Sequence, residues 1–462
     1  MPQEDELRQA VKEDFPAVVT QLSELVSIPA MAWDDADAEE LVLAAGLVAE
    51  FLREAGMADV VLLQAPRPDG RAGAPAVVGR ISAKPGMRTI LLYAHYDVQP
   101  AGDLAQWYTP PFKAEEREGR LWGRGVADNK AGVLLHVAAL RSVLRVLGAE
   151  AGLGITVLID GEEEAGSPSL PRLLQEHPSV LGADAIVVAD SGNWQVGVPA
   201  LTTSLRGLIL GTIEVRVLEH ALHSGTYGGP LLDAITVLSR VLATLHGDDG
   251  TVAVHGLTVF KPAAFQERVP EFDEALFRAD AHIPPGTRLA GSGTLASRLW
   301  NKPALSIIGI DAPTISQSSD TLLPFARARF SLSLAPGTNT AEAMEAVRHH
   351  VENNAPFGAT VRLLPGGRTE GFAGTANSPA ARTMLAAMGD SWGLPAVCMG
   401  VGGSIPVVDI LSKLCPDADI LITGAEDPDS RAHGTNESVH LGDFQNAILA
   451  EALLLERLTS PG

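Results

Sequence analysis

The stretch LLYAHYDVQPAG at residues 91–102 is an apolar strand that ends in a histidine, one spacer and an aspartate. Strand side chains alternate between faces, so His95 and Asp97 point the same way, about 7 Å apart along the chain. A histidine whose second ring nitrogen is held by a carboxylate is typical of a metal ligand with its orienting partner. An isolated His-x-Asp also occurs at strand ends without such a role. The rest of the sequence has to decide between these two interpretations.

The composition is that of a large acidic globular protein. The length of 462 residues predicts two or three domains, and the 46% of hydrophobic residues is ample for globular folding. The chain has 56 acidic and 34 basic side chains. The resulting net charge of −22 argues against nucleic acid or an anionic membrane as partner. The acidic N-terminus is not typical of a signal peptide, and no apolar run predicts a membrane span. Cys398 and Cys415 lack CxxC spacing and are interpreted as free thiols, so we expect a cytoplasmic protein.

Strand and helix patterns alternate through residues 1–203 and return from residue 376 onward. Apolar strands are predicted at residues 77–81, 89–93, 155–159, 186–189 and 420–423, and helices at residues 4–27, 41–55, 130–147 and 441–458. Such alternation predicts an α/β domain with a largely parallel central sheet flanked by helices.

The intervening residues 204–375 predict a second domain. Residues 208–218 and 325–334 alternate as half-buried strands do, and each is followed by a predicted helix. Two such units fit a ferredoxin-like α+β domain with an antiparallel sheet. Residues 247–303 have little regular pattern and are left unassigned. We therefore predict a first domain formed by residues 1–203 and 376–462, interrupted by an inserted domain at residues 204–375.

The predicted strands of the first domain are followed by residues of the types that commonly bind metals. His95, Glu164, Asp190 and His433 each follow a different predicted strand. In open α/β sheets, ligands bind beyond the carboxyl ends of the strands. Asp128, in GRGVADNKAG just before the long helix, adds a further carboxylate, although an aspartate there is also typical of a helix N-cap.

Two imidazoles and three carboxylates suit two Zn²⁺-like ions that share one aspartate. The set contains no thiolate, whereas closed structural zinc sites usually do. Hydrolysis also needs a spare carboxylate to take a proton from water. Glu162 and Glu163, directly before Glu164, are both candidates, although a run of three acids is often only a solvated surface.

Seven motifs occur in the order found in the co-catalytic di-zinc metallopeptidases, and the sequence resembles that family over its whole length. They are HYD at 95–97, GRGVADNKAG at 123–132, EEEAGS at 162–167, Asp190, LHSGTYGG at 222–229, GGSIP at 402–406 and AHGTNES at 432–438. The family includes carnosinases, aminoacylases, glutamate carboxypeptidases and succinyl-diaminopimelate desuccinylase. The resemblance is closest to the dipeptidase branch.

The resemblance implies a role for each matching residue and two divalent ions per chain, zinc or alternatively manganese or cobalt. The implied ligands are His95 and Asp190 for one ion, Glu164 and His433 for the other, and Asp128 as the bridge. Glu163 matches the general base, and Asp97 matches the carboxylate that orients His95. His223 resembles a histidine that the lid domain of one subunit offers to the substrate carbonyl of its partner, which implies a homodimer formed through the inserted lid.

The implied reaction is hydrolysis of the amide bond of a dipeptide or similar small peptide by a metal-bridging hydroxide, with Glu163 as general base and acid. An N-acyl-amino-acid deacylase of the aminoacylase or desuccinylase type is the alternative within enzymes. A catalytically silent binding protein with the same fold is a third interpretation.

Two departures from the dipeptidase pattern concern substrate recognition. Ser333, in SLSLAPG, stands where the lid strand usually carries an arginine suited to a carboxylate. Gly400 and Val401 precede GGSIP where many dipeptidases have Arg-Glu. Neither change touches the predicted metal ligands, but both leave open which amide is cleaved and whether cleavage is aminopeptidase-like or carboxypeptidase-like.

Overall fold

The computed structural model describes residues 2–33, 38–148, 152–261 and 271–459. The chain divides into two compact units, which are described separately. Unit 1 comprises Met1–Thr203, Gly374–Met399 and Pro406–Gly462, and unit 2 comprises Ser204–Ala373 and Gly400–Ile405. The segment Gly400–Ile405, predicted above to continue the first domain, therefore groups with the second.

The bounds of the elements follow in chain order. The strands are β1 (Asp59–Leu63), β2 (Ala76–Ile81), β3 (Thr89–His95), β4 (Glu115–Arg117), β5 (Arg120–Trp122), β6 (Gly154–Asp160), β7 (Ala185–Ala189), β8 (Ala200–Leu205), β9 (Gly207–Arg216), β10 (Leu222–His223), β11 (Ala304–Asp311), β12 (Thr321–Leu322), β13 (Phe325–Leu334), β14 (Thr360–Thr369), β15 (Phe372–Ala373), β16 (Val397–Val401), β17 (Asp419–Thr423) and β18 (Ser438–His440). The helices are α1 (Pro2–Val26), α2 (Ala38–Glu54), α3 (Lys130–Leu147), α4 (Leu170–Glu176), α5 (Ser224–Tyr227), α6 (Ala234–Ala243), α7 (Glu274–Asp280), α8 (Thr340–Asn353), α9 (Pro379–Trp392), α10 (Pro406–Leu414) and α11 (Leu441–Leu458).

Unit 1 is built on a central sheet with the strand order β1-β2-β6-β3-β7-β17-β8. The four strands β6, β3, β7 and β17 run parallel, and β6 and β7 are buried along their whole length, as expected of parallel strands covered on both faces. The strands β1, β2 and β8 run antiparallel to their neighbours. The predicted α/β fold with a central sheet is confirmed, and its parallel part is limited to these four strands.

Parallel pairing brings the carboxyl ends of these strands to one edge, which we call the carboxyl edge. Tyr93 lies opposite both Leu158 and Val188, and Ala189 lies opposite Thr423. The residues that follow each strand are therefore neighbours although they are far apart in the sequence.

Helices α1, α3, α9 and α11 pack together, and α2 packs on β1 and β2. Lys130, the first residue of α3, is fully buried, and its Nζ donates to the carbonyl oxygens of Leu25 (2.9 Å) and Ile28 (2.6 Å). Leu25 lies in the last turn of α1 and Ile28 two residues beyond its end, and each carbonyl oxygen also accepts a backbone N–H. Burial lowers the pKa of Lys130 to about 7. Among the described residues, no helix has both the length and the hydropathy needed to cross a membrane.

Unit 2 contains a four-stranded antiparallel sheet with the order β11-β13-β9-β14. Alternate residues of β9 and β13 are buried, and α6 and α8 pack against the sheet. The order β9, α6, β11, β13, α8, β14 is the ferredoxin-like arrangement predicted from the sequence. In the unassigned stretch 247–303 the structure has α7 and a short π-helical segment at Ser297–Asn301, while residues 262–270 lie outside the described residues.

Candidate metal centre

Three predicted ligands from different segments meet at the carboxyl edge. His95 ends β3, Asp128 precedes α3 and Asp190 follows β7. His95 Nε2 lies 3.2 Å from Asp128 Oδ1 and 3.4 Å from Asp190 Oδ1. His95 is fully buried, whereas the side chains of Asp128 and Asp190 are 11% and 9% exposed, so this group offers one imidazole and two carboxylates with little contact with bulk water.

A second group shares Asp128 with the first. His433 Nε2 lies 2.9 Å from Asp128 Oδ2 and 3.3 Å from Glu164 Oε2. One carboxylate oxygen of Asp128 thus faces His95 and the other faces His433. This is the arrangement of a bridging carboxylate between two cations.

The chemistry of these side chains fits two divalent ions. In each group the nitrogen and oxygen ligand atoms all lie within 4.8 Å of one another. His95 Nε2 and Glu164 Oε1 are buried, and within the described part of the chain neither makes a hydrogen bond. Buried polar atoms without partners are rare in proteins, and a metal ion would satisfy both. Imidazole and carboxylate ligands suit zinc, manganese or cobalt.

The charges of the site act on one another. Hydrogen bonding of its ring to the carboxylates of Asp128 and Glu164, which accept, raises the pKa of His433 to about 11. Burial acts to lower the pKa of His95, but the charge of Asp190 and the close approach of the Asp128 carboxylate outweigh it, so this pKa is raised well above its usual value. Both imidazoles therefore lie in a strongly negative environment, which favours cations.

Asp97 has two functions, of which the sequence indicated only one. Its Oδ1 lies 3.2 Å from His95 Nδ1, as expected for an orienting carboxylate. Its two oxygens also accept hydrogen bonds from the backbone N–H groups of Glu163 and Glu164, each at 3.1 Å. Asp97 thus fixes the histidine and the acidic loop relative to each other.

The three successive glutamates after β6 have different environments. Glu162 is fully buried and accepts hydrogen bonds from Arg67 (2.7 Å), from the backbone of Ala74 (2.8 Å) and from Ser169 through both its hydroxyl (2.7 Å) and its N–H (3.0 Å). A carboxylate with four donors has no capacity left for a proton from water. Glu162 is therefore not suited to be the general base.

The environment of the Glu163 side chain differs from that of Glu162. Its Oε2 lies 3.8 Å from His95 Nε2, and its side chain is 12% exposed. Burial, followed by the charge of Asp190, raises the pKa of Glu163 well above its usual range. Glu163 therefore has a raised proton affinity and lies beside the two groups of candidate ligands. A carboxyl group with these properties is suited to proton transfer.

Comparison with known proteins agrees with this geometry. The model of Peptidase family M20/M25/M40 matches residues 91–457. The chain belongs to this family. The cysteinylglycine-S-conjugate dipeptidase of Corynebacterium striatum is 35% identical over 79% of this chain and 80% of its own length. The human Beta-Ala-His dipeptidase is 29% identical over 68% of this chain and 64% of its own length.

Solved structures of the M20 family share the fold. Dug1p from Saccharomyces cerevisiae, described as a di-peptidase, superposes with a TM-score of 0.83 at 22% identity and covers 100% of both chains. Human carnosine dipeptidase 1 gives a TM-score of 0.79 at 23% identity, with 98% of each chain covered. The YXEP protein of Bacillus subtilis gives a TM-score of 0.59 at 13% identity, with 96% of this chain and 98% of its own chain covered, and is described as a dinuclear metal binding peptidase from the M20 family.

The sequence did not indicate the role of Arg124 and Glu437, although both lie inside motifs of the M20 family. Arg124 and Glu437 are buried and paired at 2.7 Å. The Glu437 carboxylate also accepts the backbone N–H groups of Gly125, Ala127 and Asp128 at 2.9–3.0 Å. Arg124 in turn donates to the carbonyl oxygen of Gly434, beside His433 (2.9 Å). This pair links the turn that carries Asp128 to the loop that carries His433.

A second acid, Glu426, was also missed. It follows β17, and burial raises its pKa well above the usual range, with further contributions from the charges of Asp128 and Asp190. In the sequence it belongs to the run GAEDPDS, which looks like a solvated loop. Only the pairing of β17 with β7 shows that it lies at the carboxyl edge.

His223 belongs to unit 2, whereas the five candidate ligands belong to unit 1. It is exposed, and its Nδ1 accepts the backbone N–H of Gly225 at 3.0 Å, as a cap of the short helix α5. A neutral ring that accepts at Nδ1 carries its proton on Nε2 and can donate there.

The structure gives a physical reason for one of the two departures from the dipeptidase pattern. A Cβ atom at Gly400 would lie 2.8 Å from both Ser204 Oγ and Trp300 Cβ. No side chain fits there, so the arginine found in many dipeptidases is excluded at this position. Ser333, the other departure, lies half-buried in β13 opposite Leu208.

The bridging position of Asp128 leads to a prediction about metal stoichiometry. Asp128→Asn should weaken the binding of both ions because one carboxylate serves two groups, whereas Asp190→Asn should affect one ion. The two variants remove the same charge, so elemental analysis after reconstitution and dialysis compares them directly. Asp429→Asn, an exposed aspartate of the His433 loop, is the control. Equal loss of metal in the Asp128 and Asp190 variants would contradict the bridge.

Proposed function

We propose that this protein is a dipeptidase that hydrolyses the amide bond of small peptides with two divalent metal ions, zinc in the first place. The observation that carries the proposal is the position of Asp128 between His95 and His433, with Glu163 beside them. The relatives named above are dipeptidases, which supports peptide hydrolysis over N-acyl-amino-acid deacylation. The intact set of ligands and base argues against a silent binding protein.

Two bound ions would supply an activated water nucleophile and would polarise the scissile carbonyl. His95 and Asp190 would hold one ion, Glu164 and His433 the other, and Asp128 both. Glu163 accepts the proton of the attacking water and returns it to the leaving amine. Its backbone N–H is held by Asp97, which keeps the base at a fixed distance from His95.

A panel of substrates tests the function. Metal-reconstituted protein should hydrolyse dipeptides, with S-methylcysteinylglycine and β-Ala-His as first probes because relatives are named for such substrates. Chelation should abolish turnover, and added zinc, manganese or cobalt should restore it. N-acetyl amino acids should be poor substrates. Turnover of N-acetyl amino acids without turnover of any dipeptide would favour the deacylase instead.

The role of Glu163 is tested by its amide. Glu163→Gln should keep both metals and the fold while kcat falls about 10²–10⁴-fold, the usual contribution of a general base. Glu116→Gln, an exposed glutamate of unit 1, is the matched control and should retain full activity. Unchanged kcat in Glu163→Gln would assign the proton transfer to another group.

The protein is further proposed to act as a homodimer in which His223 of one subunit serves the site of its partner. A ring with its proton on Nε2 could donate a hydrogen bond to the substrate carbonyl as negative charge develops there. Removal of one such donor typically costs about 3–4 kcal/mol in the transition state.

Mixing two inactive variants tests this assembly. His223→Ala and Glu163→Ala should each be nearly inactive alone. In a two-fold dimer the mixed species has one site with an intact base and an intact partner histidine. Half of randomly assembled dimers are mixed and each has one good site of two, so roughly a quarter of wild-type activity should return.

Two differently tagged variants allow the mixed dimers to be isolated and counted. Isolated mixed dimers without activity would place His223 in the site of its own subunit or outside catalysis.

A further inference from the structure

Glu426 is placed beside the metal groups by the pairing of two parallel strands. The register of β17 with β7 continues past Thr423 and Ala189 into a bridge between Glu426 and Gly192. The N–H of Asn193 donates to the carbonyl oxygen of Glu426 at 2.8 Å. The loop after β17 therefore runs along the segment that begins with Asp190.

The close approach of these loops depends on a glycine. A Cβ atom at Gly424 would lie 1.9 Å from the carbonyl oxygen of Ser191. Any other residue would push the loop away, so the position of Glu426 is built into the backbone.

The side chain of Glu426 differs from the other acids near the site. Glu162 and Glu437 are each occupied by several hydrogen-bond donors. Within the described ranges the Glu426 carboxylate has neither a hydrogen bond nor an ion pair, and it belongs to neither ligand group. The charges of Asp128, Asp190 and Glu437 act on it most strongly, and that of His433 acts in the opposite sense.

A partly buried carboxylate among other carboxylates is unfavourable unless a cation accompanies it. The two ligand groups account for two metal ions without Glu426. The proposed substrate brings another cation, since an α-dipeptide carries its protonated amino group on the carbon atom next to the scissile carbonyl.

We propose that Glu426 binds the protonated α-amino group of the substrate and thereby selects peptides with a free N-terminus. This inference rests on the proposed dipeptidase function and refines it. A charge-assisted hydrogen bond from an ammonium to a carboxylate is strong and directional. Acylation removes the charge and adds bulk, so a blocked substrate leaves Glu426 without its partner. The subsite therefore distinguishes dipeptides from N-acyl amino acids.

The test compares S-methylcysteinylglycine with its N-acetyl form in the wild type and in Glu426→Gln. The substitution should lower kcat/KM for the free dipeptide roughly 10- to 100-fold, the usual range for a hydrogen bond to a charged group. For the N-acetyl form, kcat/KM should change by less than about twofold, since that substrate has no ammonium to lose. Asp429→Asn removes an equal charge from an exposed position of the same loop and should change neither.

A binding measurement makes the result independent of turnover. Calorimetry on metal-loaded Glu163→Gln protein measures binding without turnover. Adding Glu426→Gln should weaken the binding of the free dipeptide and leave the binding of the N-acetyl form unchanged. The inference would be overturned if both ligands lost affinity equally, if neither lost affinity, or if the Glu426→Gln substitution released a metal ion.

Failure of the proposed function is a separate outcome, seen as wild-type protein that hydrolyses no dipeptide. The calorimetric comparison would still decide whether Glu426 recognises the amine.

Discussion

The buried pair of Arg124 and Glu437 is the interaction on which the site depends most. Its two charges lie in the interior, where an ion pair is stable only if nearly every donor and acceptor is satisfied. Here the satisfying groups are the backbone of the Asp128 turn on one side and the carbonyl of Gly434 on the other. Loss of either partner would leave a buried charge and would also free two ligand-bearing loops. The pair thus stabilises the backbone of the Asp128 turn and of the loop at Gly434.

A second constraint is the excess of negative charge at the carboxyl edge. Desolvation and mutual repulsion raise the pKa values of Glu163, Asp190 and Glu426, while the two imidazoles gain affinity for protons. Such a constellation is costly for a protein alone and favourable with divalent cations. The same imbalance that would favour metal ions would also provide the proposed base at one position and the proposed site for an amine at another.

Much of the fold and of the ligand set could be predicted from the sequence, because both follow from local patterns. Apolar runs predicted the strands β3, β6, β7 and β17. The residues at or just after the ends of three of these strands include His95, Glu164 and Asp190. The contributions of Arg124, Glu437 and Glu426 could not be predicted, because the partner of a charged side chain is set by tertiary structure. Glu426 resembled a solvated loop residue until the register of β17 placed it. Strand β11 was missed since it follows a stretch without regular pattern.

The carboxylate of Asp97 couples three elements, because it contacts the ring of His95 and two successive amides of the acidic loop. Three identical glutamates in a row thereby acquire three different positions, with Glu162 as an anchor, Glu163 as the proposed base and Glu164 as a proposed ligand. The spacing between the proposed base and the two candidate ligand groups is thus set by the scaffold. Diversification of substrates within such a scaffold has to occur in segments that Asp97 does not restrain, among them the loop that carries Glu426.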